Sequence, residues 1–402
     1  MSGFRSFLAA LMIAAAMATP GMLRADCVEI GETCISSNDL KAKVRIGSHT
    51  PDLQALAQFS QLRDLTLMTD LRFDAPVDLA PLAALANLEK LALVSVTAPD
   101  LAPLTRLPKL KRLSLDSVHA PDFTPLASLT GLEHLSVWGI KDVTDLSFAS
   151  GLTRLQSLNI ADSGVADLSP LEGLDDLAVF LAFNTQVADL SPLAGANLQV
   201  AWISNCPVRS VAPLAGSDRL EMLRADGTLL DSLDGLQDKP ALQTLILSGT
   251  RVTDLTPISD AVSLDELALN GTRVRDLAPL TGLVSLRKLS LKDTAVTSLA
   301  PLAGNSLRVL SLSNTAVTSL AGVQHMEDLW DFSISGTGVT DLTPLTGLKK
   351  LSILRAVGLP AEALQPLLKI ESLKIVFAGP DRERRKRLLG KEKIAAYIAA
   401  VH

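Results

Sequence analysis

Histidines, cysteines and a recurring column of aspartates are the residues of this sequence whose types and spacing could do chemistry. The histidines are His49, His119, His134, His325 and His402, and none falls in an HExxH or other metal-ligating spacing. His134 and Ser136 stand two residues apart, so along a strand they would share one face. A nucleophilic hydroxyl needs a base within hydrogen-bond reach and a third group to orient that base. No third partner is visible, and ordinary surface polarity is the expectation. The stretch "GTGVTD" (336–341) matches part of a glycine-rich phosphate loop, but it lacks the final glycine and no full-length helix follows. Asp145, Asp167, Asp189, Asp254, Asp276 and Asp341 recur in one column. Stacked carboxylates can hold calcium, whereas an aspartate that opens a turn satisfies local amides. The second reading is expected. No catalytic residue, metal or cofactor is assigned, and the chain is not expected to be an enzyme.

The cysteines point to structure. Cys27 and Cys34 lie just after an N-terminal segment with the layout of an export signal. In that segment Arg5 supplies a basic start, Phe7 to Met17 an apolar run, Pro20 and Gly21 a break, and Ala25 the end of a small-residue cleavage site. Residues 1–25 are therefore expected to be removed on export to a periplasmic or extracellular space, where a Cys27–Cys34 disulfide would staple the start of the fold. Cys206 is left without a partner and is expected to be a free, half-buried thiol. From Asp26 onward, 35 basic residues face 43 acidic ones, a net charge of −8. An acidic chain lacks the cationic face that nucleic acid or an anionic membrane requires.

The elements that position these residues follow from an internal repeat. "LQTLILSGTRVTDLTPI" (242–258) aligns with "LDELALNGTRVRDLAPL" (264–280) on the pattern LxxLxLxxTxVxDLxPL. Leading leucines recur from Leu62 to Leu373, at steps of 21 to 23 residues after a first step of 26. Within one unit, Leu242, Leu245 and Leu247 point inward while residues 244, 246 and 248 point outward, because side chains alternate along a strand. Each "DLxPL" starts a short helical turn, with Ser169, Ser191 or Thr256 as the expected N-cap and Pro257 at the first helical position. One unit cannot bury its leucines alone, whereas stacked units merge them into one core and their strands into one parallel sheet.

This pattern resembles the leucine-rich repeat family, in particular the 22-residue repeats of internalins. The resemblance spans residues 40–380. It implies an α/β repeat solenoid: a curved arc with a concave parallel β-sheet and short helical, 3-10 turns on the convex side. It also implies recognition rather than catalysis. The family places Asn at the turn position, where it bonds neighbouring turns. Here that position holds Thr185, Thr228, Thr250, Thr272, Thr294, Thr315 and Thr337, with Cys206 in the same column. The shorter reach of Thr predicts a looser ladder. The expected organisation is a signal segment (1–25), an N-terminal cap with a degenerate first repeat (26–60), about fifteen repeats (61–380) and an amphipathic helical cap (381–402). That last helix is read to start at Pro380–Asp381 and to share Ile394, Tyr397, Ile398 and Val401 on one face.

Function on such a scaffold belongs to the outward strand positions. Most are small or charged. Across five neighbouring strands they include Trp138, Val179, Leu181, Phe183, Val200, Trp202 and Met222, with Arg224 beside them. Strand spacing makes this patch roughly 19 Å wide. Contiguous apolar patches of several hundred Å² mark interaction sites, and aromatics and Arg dominate hot spots. A protein partner on this face is the expected function, and a homodimer through it would use the same residues. The alternative is an envelope-associated role in which the basic tail, seven cations against three acids over 381–393, touches an anionic membrane surface.

Overall fold

The structure is a computed structural model that describes residues 27–36, 38–46, 53–70, 75–381 and 383–400. The expected export segment, 1–25, lies outside the described residues.

The chain opens with a hairpin. β1 (Cys27–Ile30) pairs antiparallel with β2 (Thr33–Ser36), placing Glu29 opposite Cys34, and the Cys27–Cys34 disulfide crosses it. Gly31 makes the turn at φ +58°, and a Cβ there would meet the Arg45 carbonyl oxygen at 2.3 Å. Both the left-handed backbone and the close approach require glycine. The approach matters because the hairpin covers the outer edge of β3 (Lys41–Ile46). The Glu32 amide donates to Arg45 O at 3.1 Å, and the Thr33 hydroxyl to Lys43 O at 2.8 Å.

From β3 the strands add in chain order, each parallel to the last, through β4 (Asp64–Thr69) to β18 (Ile375–Ala378). β19 (Lys386–Leu389) then closes the sheet antiparallel to β18. No ladder joins β19 to β3 among the described residues, so the sheet is an open arc. Its register repeats without a slip: Leu223, Leu245, Leu267 and Leu289 lie side by side across four strands, and none is more than 1% exposed. Inward Leu and outward polar residue alternate as the period-two pattern requires. The core is thus one column of leucines running the length of the molecule.

The return segments are short 3-10 turns, such as Ser169–Leu171, Thr256–Ile258 and Ala300–Leu302. Their caps differ from expectation. Ser169, Ser191 and Thr256 are the first residues of their turns, not N-caps, and proline follows each. The capping group is the aspartate two residues earlier: Asp167 accepts the Ser169 amide at 2.8 Å on one oxygen and the Ser169 hydroxyl at 2.7 Å on the other. Asp145 and Asp189 do the same with Ser147 and Ser191. This is the local role weighed against calcium binding.

The threonine column also behaves differently from a ladder. Each hydroxyl bonds within its own turn, three residues back: Thr185 to Ala182 O, Thr250 to Leu247 O, Thr315 to Leu312 O, each 2.7 Å. The bonds between turns lie one position earlier, at a residue in the left-handed conformation. Asp162, Asn184, Asn205, Asp293 and Asn314 take φ between +57° and +59°, and Gly227, Gly249 and Gly271 fill the same column. Asn205 donates to Asn184 at 2.8 Å, and Asn184 donates to Asp162 at 3.0 Å. Asn and Asp tolerate this backbone region better than other chiral residues.

The C-terminal segment departs from the expected helix at Pro380. Lys386–Leu389 form β19, and the helix, α1, spans Gly390–Ala399. Pairing with the free edge of β18 satisfies backbone groups that a helix would leave bare. Ile394 and Ile398 are buried and Tyr397 packs against the core, as the periodicity predicts, while Val401 lies outside the described residues.

Candidate recognition site on the concave sheet

The patch predicted from alternation occupies β7 (His134–Ser136), β8 (Ser157–Asn159), β9 (Val179–Leu181), β10 (Val200–Trp202) and β11 (Met222–Arg224). Register places Val179, Val200 and Met222 in one row, and Leu181, Trp202 and Arg224 in the next. Val200 is only 7% exposed, so it floors the patch rather than displaying itself. Val179, Leu181, Phe183, Trp202, Met222 and Arg224 are half-buried, and each presents one side to solvent.

Three of these side chains meet directly. The Phe183 and Trp202 rings stand 4.4 Å apart, centroid to centroid, tilted by 32°. The Arg224 guanidinium lies over the Trp202 ring at 4.3 Å, a cation–π contact. The indole is pinned from its edge too. Its Nε1 donates to the Ser204 hydroxyl at 2.8 Å, and Ser204 donates in turn to Asp226 at 2.6 Å. Asp226 also sits 4.0 Å from Arg224 Nε, an atom that is buried and has no hydrogen-bond partner. Alternation marks Ser204 and Asp226, just past the ends of β10 and β11, as outward positions, but neither was among the residues expected in the site.

Trp138 stands apart from this trio. Ala161 and Asn159 of the intervening unit are small or polar, and the Trp138 indole donates to Asp162 at 3.0 Å, at the end of the Asn205–Asn184–Asp162 chain. The structure therefore brings together Phe183, Trp202 and Arg224, flanked by Val179, Leu181 and Met222, and leaves Trp138 on the neighbouring rim.

The polar residues beside it do not form a relay. The Ser136 hydroxyl donates to Asp116 at 3.2 Å, Ser114 donates to the same oxygen at 2.7 Å, and His134 Nδ1 is buried without a partner. Burial raises the Asp116 carboxyl above the ordinary carboxylate range, with the Ser114 and Ser136 hydrogen bonds opposing it. Burial likewise lowers His134, and Arg112 adds to that. His119 forms a parallel bridge with Thr97, His325 ends the 3-10 turn Val323–His325, and His49 and His402 are outside the described residues. Among the described residues no group of three His, Cys, Asp or Glu side chains is arranged to hold a metal ion.

Cys206 is a free thiol and is fully buried, at 2% exposed, rather than half-buried. It differs from the threonines of its column by reaching the neighbouring turn, 3.0 Å from Ala182 O and 3.2 Å from the Thr185 hydroxyl. Burial raises its pKa, so it is an unreactive packing group.

No family model and no curated protein matches this chain. Solved structures do. A leucine-rich repeat protein of Leptospira interrogans is 19% identical, with a TM-score of 0.72, over 82% of this chain and 88% of its own. An internalin of Listeria monocytogenes is 22% identical, with a TM-score of 0.63, over 80% of this chain and 89% of its own. A plant peptide hormone receptor in complex with RGF2 is 12% identical, with a TM-score of 0.52, over 86% of this chain and 71% of its own. The fold is a leucine-rich repeat solenoid with internalin-type repeats. No described helix is long and apolar enough to cross a membrane.

Proposed function

We propose that this chain is an exported leucine-rich repeat protein that grips a protein partner with its concave sheet, centred on Phe183, Trp202 and Arg224. The observation that carries the reading is the pinned indole of Trp202. It is held by Phe183, Arg224 and the Ser204–Asp226 pair, so little side-chain entropy remains to be lost on binding. A half-buried aromatic beside Arg, within an apolar surround, has the composition of an interface core. A structural neighbour of the same fold, the plant receptor in complex with RGF2, supports recognition as a use of this architecture.

The test starts with cross-linking capture from the native envelope fraction, followed by affinity measurement on the captured protein. Trp202→Ala and Phe183→Ala are each expected to weaken binding by more than ~1 kcal/mol without loss of fold. Unchanged affinity in both variants overturns the assignment. Export is checked separately by sequencing the N-terminus of the secreted chain, which is expected to begin at Asp26.

A further inference from the structure

We infer a second binding surface, for an acidic polysaccharide chain, on the rim where the strands around Trp330 begin. This rim is not part of the concave patch and was not visible from alternation, because its residues precede the strands. The Trp330 amide donates to Arg308 O at 2.9 Å, the Ser352 amide to Trp330 O at 2.9 Å, and the Lys374 amide to Ser352 O at 2.9 Å. Arg308, Trp330, Ser352 and Lys374 are therefore neighbours at one-strand spacing, about 4.8 Å. With Lys349 and Lys350 they line an open groove.

Trp330 is 48% exposed, far more than any other aromatic of the sheet. Asp328 is the one acid in the groove lining and it is paired with Lys350. The Lys350 hydrogen bond and charge, with smaller contributions from Arg308 and Arg287, hold the Asp328 carboxyl below the ordinary range. Arg308, Lys349 and Lys374 are exposed and make no ion pair among the described residues. In a chain of net charge −6, three unmatched cations around a half-exposed indole run against the general trend.

The occupant follows from what the groove lacks. Trp330 is its only apolar side chain. Protein interface cores are depleted of Lys and surround their aromatic anchors with apolar contacts, which this rim does not supply. A single-stranded nucleic acid is held by several aromatic side chains on which successive bases stack along a cationic groove, and this groove has one aromatic. A pyranose ring offers a flat C–H face for the indole, and its carboxylate or sulfate groups project from the ring edge toward the cations. Uronate and sulfated chains share this chemistry.

The experiment titrates the full mature chain calorimetrically at low salt with polygalacturonate and heparin oligosaccharides. Neutral dextran, poly-glutamate and oligothymidylate serve as comparisons. Binding of at least one acidic sugar, none of dextran, and loss of binding with added salt are expected; binding of polygalacturonate shows that carboxylates suffice, and binding of heparin alone shows that sulfates are required. Trp330→Ala should weaken it about threefold to tenfold, Arg308→Gln with Lys374→Gln should weaken it at least as much, and Trp202→Ala should leave it unchanged. The proposal is overturned if neither acidic sugar binds, or if poly-glutamate or oligothymidylate binds as well. It is equally overturned if the folded Trp330 variant binds like the parent. Should Trp330→Ala not fold, the double charge variant decides the question. The Trp202→Ala arm keeps a failure here distinct from a failure of the concave site.

Discussion

At the scale of single residues, two kinds of aspartate make opposite use of the same carboxylate. Asp167 is held below the ordinary range, first by the Ser169 amide and then by the Ser169 hydroxyl, and Asp145, Asp189, Asp254 and Asp341 are lowered in the same manner by hydrogen bonds from the residue two ahead. A carboxylate lowered in the folded state stabilises it above the unfolded pKa, and that contribution is lost as pH falls through the folded value. Thermal stability is therefore expected to decline as pH drops below about 4, with Asp167→Asn showing a shallower decline than the parent. Asp116 is raised by burial, so its ionised form is the costly one at neutral pH. Asp116→Asn keeps an oxygen for the Ser114 and Ser136 hydroxyls. Its melting temperature at neutral pH is expected to equal or exceed that of the parent, and a clear fall would contradict the burial argument. The aspartate column was legible in the sequence as turn chemistry. The asymmetry of Asp116 was not, since it arises from burial by side chains distant in the chain, which outweighs the opposing hydrogen bonds of Ser114 and Ser136.

At the scale of elements, the strand–turn unit was legible because period-two alternation and the "DLxPL" turn repeat on a common spacing. Leu245 illustrates the consequence. It is fully buried in β12 (Thr244–Ile246) between Leu223 and Leu267. Leu245→Ala is expected to cost about 2–5 kcal/mol. Because each unit touches only its neighbours, hydrogen exchange should quicken around β11 and β12 while β4 stays protected; uniform acceleration would contradict this locality. Two features escaped the pattern. The left-handed column was written in the pairs Asn184-Thr185, Gly249-Thr250 and Asn314-Thr315, but its mixture of Asn, Asp and Gly repeats less regularly than the threonine that follows. The terminal strand β19 was masked by its charge: a run of Lys and Arg reads as a solvated helix, yet an edge strand tolerates and even favours such residues. Gly31 gives a further test. Gly31→Ala places a methyl group on the Arg45 carbonyl, so the hairpin should lift from β3 and its disulfide should reduce faster under mild thiol.

At the scale of the whole molecule, the arc is a sheet with two guarded ends, the disulfide hairpin over β3 and the β19–α1 unit beside β18. Deleting residues 380–402 would bare the backbone of β18, and light scattering is expected to show self-association of the truncated chain; a clean monomer would show that β19 does not serve as a guard. The extent of the arc and its leucine core followed from the repeat count alone. The sites did not follow so directly. Alternation named the outward residues of the concave patch, but which of them touch depends on rotamers and on diagonal neighbours. Phe183 and Trp202 meet across rows, whereas Trp138 turns toward Asp162.

The unbroken register from β11 to β14 (Lys288–Ser290) has one more consequence. Each repeat advances the molecule by one strand width, about 4.8 Å, so the solenoid is a ruler with interchangeable graduations. Trp202 and Trp330 are six graduations apart, roughly 29 Å along the sheet. Excising a unit between them that borders neither, such as residues 266–287, would bring the two surfaces one step closer and leave the strands beside each in place. A ligand that spans both would register that change as a change in effective concentration, whereas ligands of either surface alone would not notice it.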